Sequence, residues 1–305
     1  GGIFSTVKKL RLSSDDELFD SSLNNVLPFI NNGTTTIEAK SGYGLSTKDE
    51  IRSLEIIDKI NQTIPIDIIP TFLGAHAIPP EYNKQDYVNL ICNEMIPEIS
   101  KRKLAVFCDV FCDKGYFSKD DSLKILETAR QFGMIPRMHI DEFECLGGAL
   151  VAKDVNAASV DHLMAIDNLG IMALSDSNVI ATLLPGTTFM LNHKKYANGR
   201  KLIDNGCEVA LATDFNPGTC TIRSLTKIML LAIMNCSMSL DESFKAVTIN
   251  AAKSLMKNHE IGVVGKNYKA DLLFWDVNSL GELVYCSDSN TVKLKKVMKN
   301  GKFID

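Results

Sequence analysis

The chain has 305 residues, of which 45% are hydrophobic and 23% are charged, proportions close to the averages of globular proteins. This composition excludes a disordered chain, and the length fits one large domain with an appendage, because α/β barrels commonly reach about 250 residues. The formal net charge of −4 comes without any block of basic residues, which argues against nucleic acid and membrane surfaces as partners.

Seven short apolar runs indicate buried β-strands, because they are continuous instead of alternating with polar residues. They cover residues 34–39, 66–73, 104–111, 135–140, 159–163, 179–184 and 208–213. A helix-like stretch follows each run, and such an alternation of strands and helices implies an α/β fold with a parallel sheet and right-handed crossovers.

Three helices are predicted to begin with a capping box, in which two side chains satisfy free backbone N–H groups. The pairs are Ser14 with Glu17, Thr47 with Glu50, and Ser239 with Glu242. Another helix is predicted after Ser118, because the acidic residues that follow it suit the positive end of a helix dipole.

Two architectures fit this pattern, an open doubly wound sheet and a (β/α)8 barrel. A dinucleotide-binding doubly wound sheet should carry Gly-x-Gly-x-x-Gly after an early strand, and no such motif occurs. Chemically active groups follow strand after strand, which favours a barrel, because all its strand ends face one mouth. These groups are Lys40 with Tyr43, His76, Asp109, His139 with Asp141 and Glu142, His162 and Asp214. Seven strands are one short of eight, so the first strand is expected before Gly1.

The pattern changes after residue 257. A strand-like run covers residues 270–275, and a strand pair is predicted within 292–303 around Asn300 and Gly301, a dipeptide typical of hairpins. A tail of this size cannot bury a core alone, so we expect it to pair with strands elsewhere. The chain is therefore divided into a barrel at 1–257 and a strand-rich tail at 258–305.

Three of the five histidines, His76, His139 and His162, lie at predicted strand ends. A lone histidine is more often structural, but three at one barrel mouth indicate a functional site. Together with Asp214 they offer imidazole nitrogens and a carboxylate, donors that suit Zn²⁺ or Fe²⁺. Glu142 is a candidate acceptor for a proton from water activated by the metal, although an acidic first turn of a helix formed by Asp141, Glu142 and Glu144 is favoured when the residue is taken alone.

The segment that follows Asp214 is a second candidate site. Asn216, Gly218 and Thr219 offer amide, backbone N–H and hydroxyl donors for a substrate carboxylate, and the alternative is an ordinary turn. Lys40, on its own, suggests a Schiff-base nucleophile.

Seven segments together resemble the imidazolonepropionase family of the amidohydrolase superfamily, and they run across nearly the whole chain. They are 38–45 (EAKSGYGL), 71–82 (TFLGAHAIPPEY), 109–112 (DVFC), 139–142 (HIDE), 161–163 (DHL), 212–219 (ATDFNPGT) and 247–252 (VTINAA). The Lys-Ser-Gly-Tyr-Gly and Gly-Ala-His-x-x-Pro blocks are much more specific than a general metal-barrel pattern.

The resemblance implies a cytosolic enzyme of histidine degradation that hydrolyses the cyclic amide of 4-imidazolone-5-propanoate to N-formimidoyl-L-glutamate. It implies one Zn²⁺ or Fe ion per subunit, with His139 and Asp214 among its ligands. Glu142 would help to activate water, and His162 would shuttle a proton or polarise the carbonyl. Asp214 would therefore be both a ligand and a catalytic residue.

The resemblance also assigns the substrate contacts. Tyr43, His76 and Glu142 would contact the substrate, and a further group would hold its propionate side chain or the product. That group consists of Asn216, Gly218 and Thr219. The tail would correspond to the C-terminal strands of a small composite β-sandwich.

The sequence departs from the superfamily pattern at one point, because no His-x-His pair occurs in it. That pair supplies two metal ligands on the first strand, which is expected before Gly1 together with a substrate-binding arginine and part of the β-sandwich. Four alternative interpretations of the chain stay open. They are an inactive fragment, a subunit completed by a separate piece, a hydrolase of another cyclic amide, and an aldolase-like barrel that uses Lys40. A pure binding module is disfavoured, because clustered ionisable groups are typical of catalysis.

A small-molecule substrate is the expected partner, and a homodimer is left open. No apolar run reaches the roughly 18 residues that span a bilayer, and no signal peptide is visible, so no membrane partner is expected. The eight cysteines are scattered, and Cys108 and Cys112 have no second pair to complete a structural zinc site. Reduced thiols and a cytoplasmic location are therefore expected.

Overall fold

The computed structural model describes residues 2–287 and 292–304. Within these residues, seven strands form one parallel sheet in which each strand pairs with the next along the chain. The strands are β1 (Thr36–Lys40), β2 (Asp67–Ala75), β3 (Phe107–Cys112), β4 (Ile135–Ile140), β5 (Ser159–His162), β6 (Ile180–Leu183) and β7 (Val209–Leu211). All seven predicted strands are thus confirmed, and the largest boundary difference lies at β3, where residue 104 was expected and Phe107 is observed.

Helices connect these strands, and two helices precede β1. The helices are α1 (Ile3–Leu12), α2 (Asp15–Asn31), α3 (Thr47–Thr63), α4 (Lys84–Leu90), α5 (Ile96–Arg102), α6 (Lys119–Gln131), α7 (Gly148–Asp154), α8 (Asn168–Ser175), α9 (Pro185–Met190), α10 (Gly199–Asp204), α11 (Leu225–Asn235), α12 (Leu240–Ala246), α13 (Ile249–Ser254) and α14 (Leu280–Tyr285). A π-helical turn at Ile91–Met95 joins α4 to α5. Among the described helices, none combines the length and the apolar character needed to cross a membrane.

Serine side chains begin several of these helices, as predicted. Ser14, Ser118 and Ser239 each form a capping box. The prediction at Thr47 is wrong by one residue, because Ser46 is the N-cap of α3 and its hydroxyl accepts the Asp49 N–H. Glu50, the expected partner of Thr47, is buried and accepts backbone N–H groups of the preceding loop instead.

The parallel sheet curls into a barrel wall. In a flat sheet, four strand spacings of about 4.8 Å would hold β1 and β5 about 19 Å apart. The ammonium group of Lys40 on β1 nevertheless lies 3.0 Å from the carboxylate of Asp161 on β5, and 2.5 Å from that of Asp109 on β3. Alternate strands contribute side chains to one interior layer in barrels, so these contacts exclude the open sheet and confirm the predicted barrel class.

Strands β1 and β7 are the two edges of this sheet within the part of the chain that is described. Helix α2 approaches the loop after β7, where the ring of Phe29 meets that of Phe215 edge-on at 5.5 Å. Arg223 donates to the carbonyl and the side chain of Asn25 at 3.2 and 2.7 Å. Contacts made by the side chains of Phe215 and Arg223 therefore link α2 to the β7 side of the barrel.

The tail forms a small antiparallel sheet of β8 (Leu272–Trp275), β9 (Leu294–Lys299) and β10 (Lys302–Ile304), in the order β10-β9-β8. The predicted hairpin is confirmed, and both Asn300 and Gly301 adopt positive φ, at 51° and 77°, as a two-residue hairpin turn requires. The buried Lys299 amine binds Asp67 at the start of β2 and Asp271, at 2.8 and 2.6 Å. This ion pair attaches the tail to the amino-terminal edge of the barrel sheet.

Candidate active site

Four predicted site residues meet at the carboxyl ends of the strands. The ring centroid of His139 lies 6.4 Å from that of His76 and 5.3 Å from that of His162. The ring of Tyr43 meets His76 edge-on at 5.2 Å, and Phe111 stacks with His162 at 6.4 Å. Strands β2 to β5 and the loop after β1 therefore direct these rings to one mouth, as the sequence predicted.

The backbone turns sharply where these strands end. Asp141, His162 and Asp214, which follow or end β4, β5 and β7, have φ of 54°, 86° and 49°. Left-handed backbone costs a non-glycine residue on the order of 1–3 kcal/mol, and such residues concentrate at functional sites. Three strained strand ends at one mouth support a functional assignment for this region.

His139 is oriented by a buried carboxylate. Its Nδ1 atom lies 3.0 Å from Oδ1 of Asp109, which is fully buried. Burial alone would raise the pKa of Asp109, but the charges of His139 and Lys40 outweigh it and lower that pKa. An ionised Asp109 accepts the Nδ1 proton, so Nε2 is the nitrogen of His139 that a metal ion would bind, in place of the Nε2 proton of the charged ring.

The ligand atoms of Asp109, His139 and Asp161 lie within 4.8 Å of one another, close enough to share a metal ion. The ammonium group of Lys40 already lies between both carboxylates of this group, at 2.5 and 3.0 Å. It neutralises the charge that would attract a metal, and it would repel a second cation at this depth. We therefore regard the group as an internal ion-pair network beneath the mouth.

Lys40 remains charged in this network. Burial by itself would lower the pKa of Lys40, but the carboxylates of Asp109, Asp161 and Glu38 outweigh burial and raise it above the ordinary value. A Schiff-base nucleophile needs a free amine lone pair at neutral pH. The geometry thus disfavours the aldolase-like alternative.

Glu142 and His162 form a pair across the mouth, with Oε2 and Nε2 separated by 3.5 Å. Their side chains are only 9% and 4% exposed, so the pair is largely shielded from water. The Nδ1 atom of His162 is buried without a hydrogen-bond partner among the described residues, which marks it as a contact point for a ligand. The alternative reading of Glu142 as an acidic helix turn is wrong, because the chain from 141 to 147 is not helical and α7 begins at Gly148.

Asp214 belongs to the same electrostatic environment. Its carboxylate accepts a hydrogen bond from the Thr187 hydroxyl. Burial, followed by the charge of Asp214, raises the pKa of Tyr43, so the phenol stays protonated. Burial and the nearby His139 lower the pKa of His76 to about 4, although Asp214 acts in the opposite direction. His76 is therefore neutral at pH 7, and because its Nδ1 meets the Gly42 carbonyl at 2.9 Å, its Nε2 is the acceptor.

The predicted carboxylate-binding segment is folded onto itself. The Oδ1 atom of Asn216 accepts the N–H groups of Gly218 and Thr219 at 2.9 and 2.7 Å. Its Nδ2 atom donates to the Asp214 carbonyl at 2.7 Å. This Asx-type turn uses the expected N–H donor of Gly218 and also that of Thr219, so a substrate carboxylate reaches these two groups only after the Asn216 side chain turns away. Their role in substrate binding stays a prediction.

The donors at the mouth fit a divalent metal in kind. Asp109 holds the ring of His139 through Nδ1, so Nε2 would face the metal ion, and Thr187 donates to only one of the two carboxylate oxygens of Asp214. Imidazole nitrogen and carboxylate oxygen are donors that zinc and iron accept. Catalytic zinc sites commonly use three protein ligands, and these two residues supply part of such a set.

Some residues of the site were not predicted from the sequence. Glu38 and Arg137 extend the network beneath the mouth, with a nitrogen–oxygen distance of 3.0 Å, and Arg137 also lies 3.8 Å from Asp161. Charged residues inside otherwise apolar, buried strands were the available signal, because such residues are rarely buried unless they are paired.

Fold and site together define a metal-dependent hydrolase of the amidohydrolase class, and the model of the Amidohydrolase family matches residues 121–304. The chain is 45% identical over 287 residues to the imidazolonepropionase of Thermoanaerobacter pseudethanolicus, and the aligned region covers 93% of this chain and 69% of that protein. It is 44% identical over 306 aligned residues to the imidazolonepropionase of Geobacillus kaustophilus, covering 100% of this chain and 72% of that protein. The chain belongs to the imidazolonepropionase family.

Solved structures share the fold at much lower identity. A guanine deaminase from C. acetobutylicum with bound guanine superposes with a TM-score of 0.74 at 17% identity, covering 98% of this chain and 78% of that one. An adenosine deaminase from Xanthomonas campestris with bound zinc gives a TM-score of 0.72 at 11% identity, covering 97% and 71%. These similarities establish the fold alone.

Proposed function

We propose that this chain hydrolyses the cyclic amide of 4-imidazolone-5-propanoate to N-formimidoyl-L-glutamate in histidine degradation. The observation that carries the proposal is the convergence of Tyr43, His76, His139, His162 and Glu142 at one mouth. Family membership makes this substrate the first choice, because the relatives compared are imidazolonepropionases.

Tyr43 and His76 would bind the substrate ring. The protonated phenol of Tyr43 donates a hydrogen bond, and the neutral His76 accepts one at Nε2. A donor and an acceptor side by side match a ring that carries both an N–H group and a carbonyl oxygen. The edge-on contact of the two rings, with centroids 5.2 Å apart, holds the Tyr43 hydroxyl and the His76 Nε2 in a defined orientation relative to each other.

Glu142 and His162 would move the protons. In our proposal the Glu142 carboxylate takes a proton from the attacking water and returns it to the leaving ring nitrogen. His162, whose Nε2 lies 3.5 Å from Oε2 of Glu142, would donate a hydrogen bond to the oxygen of the attacked carbonyl and stabilise the charge that develops there. The shielded position of both side chains strengthens these interactions, because little water screens them.

His139 and Asp214 would hold a single metal ion, Zn²⁺ or Fe, in this proposal. When bound, such an ion supplies Lewis acidity at the carbonyl and lowers the pKa of water towards about 7. Asn216, Gly218 and Thr219 would hold the propionate group once the Asn216 side chain releases the two N–H groups.

The organisation of the chain completes the proposal. We assign residues 1–257 to the catalytic barrel and 258–305 to the C-terminal strands of a small β-sandwich, with Gly1 and Asp305 outside the described residues. Separate parallel and antiparallel sheets support this division. Buried, scattered cysteines such as Cys108 and Cys236 support a reducing, cytoplasmic location.

The test is ring opening by the purified, metal-supplemented chain. The loss of imidazolone absorbance and the mass of the product are followed with 4-imidazolone-5-propanoate and with an analogue that lacks the carboxylate. We expect N-formimidoyl-L-glutamate from the first compound and a much larger KM for the second. Turnover of both compounds with the same KM would contradict the assigned substrate, and no turnover of either would contradict the activity.

A further inference from the structure

Glu50 is a buried carboxylate that no step of the proposed reaction uses. It lies in the first turn of α3 and has no exposed surface. Its two oxygens accept the backbone N–H groups of Gly42, Gly44 and Leu45 at 3.0, 2.8 and 2.8 Å. These three groups surround Tyr43, so one carboxylate fixes the loop that presents the tyrosine to the mouth.

The same loop also sets His76, because the Gly42 carbonyl accepts from its Nδ1 at 2.9 Å. Two loop residues have positive φ, Gly42 at 111° and Leu45 at 49°, and this conformation is strained at Leu45, which lacks the freedom of glycine. A Cβ atom at Gly44 would approach the Asp49 backbone to 2.5 Å, so the loop lies tightly on the start of α3. Such a conformation persists only when surrounding contacts hold it.

Asp113 repeats this arrangement at the loop that follows β4. It follows β3 and is 1% exposed. Its Oδ2 atom accepts the N–H groups of Glu142 and Phe143 at 2.8 and 2.9 Å, and its Oδ1 atom accepts that of Glu144 at 3.0 Å. The residue fixed in this case is Glu142, the proposed proton carrier.

We propose that Glu50 and Asp113 are positioning residues of the active site, each holding one mouth loop through three backbone N–H groups. Glu50 acts on Tyr43 and His76, and Asp113 acts on Glu142. The inference rests on the proposed function, because it takes the roles of these three residues from it. Hydrogen bonds to a buried carboxylate are stronger than those between neutral groups, so neither loop moves easily.

The two positions predict different kinetic effects. Loss of the Glu50 contacts disturbs two groups that bind substrate, so KM rises while kcat changes little. Loss of the Asp113 contacts displaces Glu142, the proton carrier, so kcat falls by a larger factor than KM rises. A purely structural role would lower the folded fraction of both variants without separating KM from kcat.

The experiment compares Glu50→Gln and Asp113→Asn, which keep size but replace one accepting oxygen by an amide N–H₂. Glu242→Gln is the control, because Glu242 also accepts a backbone N–H group but lies in the capping box of α12. KM and kcat are determined per folded molecule. Amide hydrogen exchange is measured for segments 42–45 and 142–144, a readout that does not depend on turnover.

We expect Glu50→Gln to raise KM about 10-fold and to accelerate amide exchange about 10-fold at 42–45 only. A change of about 10-fold corresponds to the loss of one hydrogen bond to a charged group. Asp113→Asn should lower kcat about 10-fold and accelerate exchange at 142–144 only. If Glu50→Gln does not fold, Glu50→Asp, which keeps the charge but shortens its reach, is judged by the same readouts.

Unchanged KM and kcat in both variants would overturn the inference. So would a variant in which exchange accelerates equally at 42–45 and at 142–144. A parent chain without any turnover would instead contradict the proposed function. In that case the exchange measurements would still decide whether the two carboxylates hold the loops, since unaltered exchange at 42–45 and 142–144 rejects the inference by itself.

Discussion

The Nδ1 atom of His139 donates to the buried Asp109 carboxylate across 3.0 Å, and the same carboxylate accepts from Lys40 at 2.5 Å. This relationship links the proposed metal ligand to the charge network inside the barrel. It fixes both the tautomer and the ring plane of His139, as outer partners of metal-binding histidines generally do.

Asp109→Asn is therefore expected to weaken metal binding by about 10- to 100-fold, because an amide orients the imidazole less strongly than a carboxylate does. Titration with Zn²⁺ or Co²⁺ against a competing chelator measures this affinity. Asp161→Asn is the matched control, since Asp161 binds Lys40 in the same network but does not bond to His139. Equal losses in both variants would contradict the orienting role of Asp109.

Lys40 is expected to stabilise the barrel and to form no covalent intermediate. Lys40→Met leaves three carboxylates with less compensating charge, and breaking such a buried pair should lower the free energy of unfolding by about 3–5 kcal/mol. Urea unfolding measures the loss, with the exposed Lys48→Met as control. In the parent chain, borohydride reduction with substrate should add no mass, and a trapped adduct on Lys40 would restore the aldolase-like alternative.

The ion pair of Glu242 with Arg200 predicts a pH-dependent contribution to stability. Hydrogen bonds from Arg200 lower the pKa of Glu242 from its ordinary 4.5 to about 2. A lowered pKa stabilises the folded state above the unfolded value, and the stabilisation disappears as the pH falls from about 4.5 towards about 2. Thermal unfolding of Glu242→Gln should give a lower Tm than the parent at pH 7 and a shrinking difference below pH 4.5. A difference that is independent of pH would contradict this assignment.

Arg223 is expected to hold the loop after β7 against α2. Its guanidinium lies 4.2 Å from the Phe215 ring centroid and donates to Asn25. Arg223→Ala should lower the free energy of unfolding by about 1–2 kcal/mol, since it removes a cation–π contact and two hydrogen bonds. Arg223→Lys should keep part of this, because lysine retains the charge but lacks the planar fork. Equal stability of the alanine variant and the parent in urea unfolding would contradict the prediction.

Much of the fold was predictable because its signals are local. Continuous apolar runs marked each barrel strand, and Asn300-Gly301 marked the hairpin of the tail. The N-cap of α3 was placed at Thr47 and not at Ser46, because both hydroxyls precede an acidic residue at capping distance. Only the folded loop shows that Glu50 points to the backbone of residues 42–45.

The site was predictable only where chain position determines geometry. The carboxyl ends of parallel strands share one edge of the sheet, so His76, His139 and His162 were expected to meet. The contacts of Lys40 with Asp109 and Asp161 depend on the curl of the sheet. The curl brings Lys40 together with one residue that is 69 positions away in the chain and another that is 121 positions away. Sequence spacing carries no signal for such contacts across a barrel.

Metal-dependent ring opening at this mouth is tested most directly by removing and restoring the metal in the purified chain. The chain is stripped with a chelator, reconstituted with Zn²⁺ or Fe²⁺, and assayed for conversion of 4-imidazolone-5-propanoate to N-formimidoyl-L-glutamate. We predict that activity is lost on stripping and returns with bound metal in the parent, but not in His139→Ala or Asp214→Ala. Turnover that survives stripping, or that returns equally in both variants, would contradict the account.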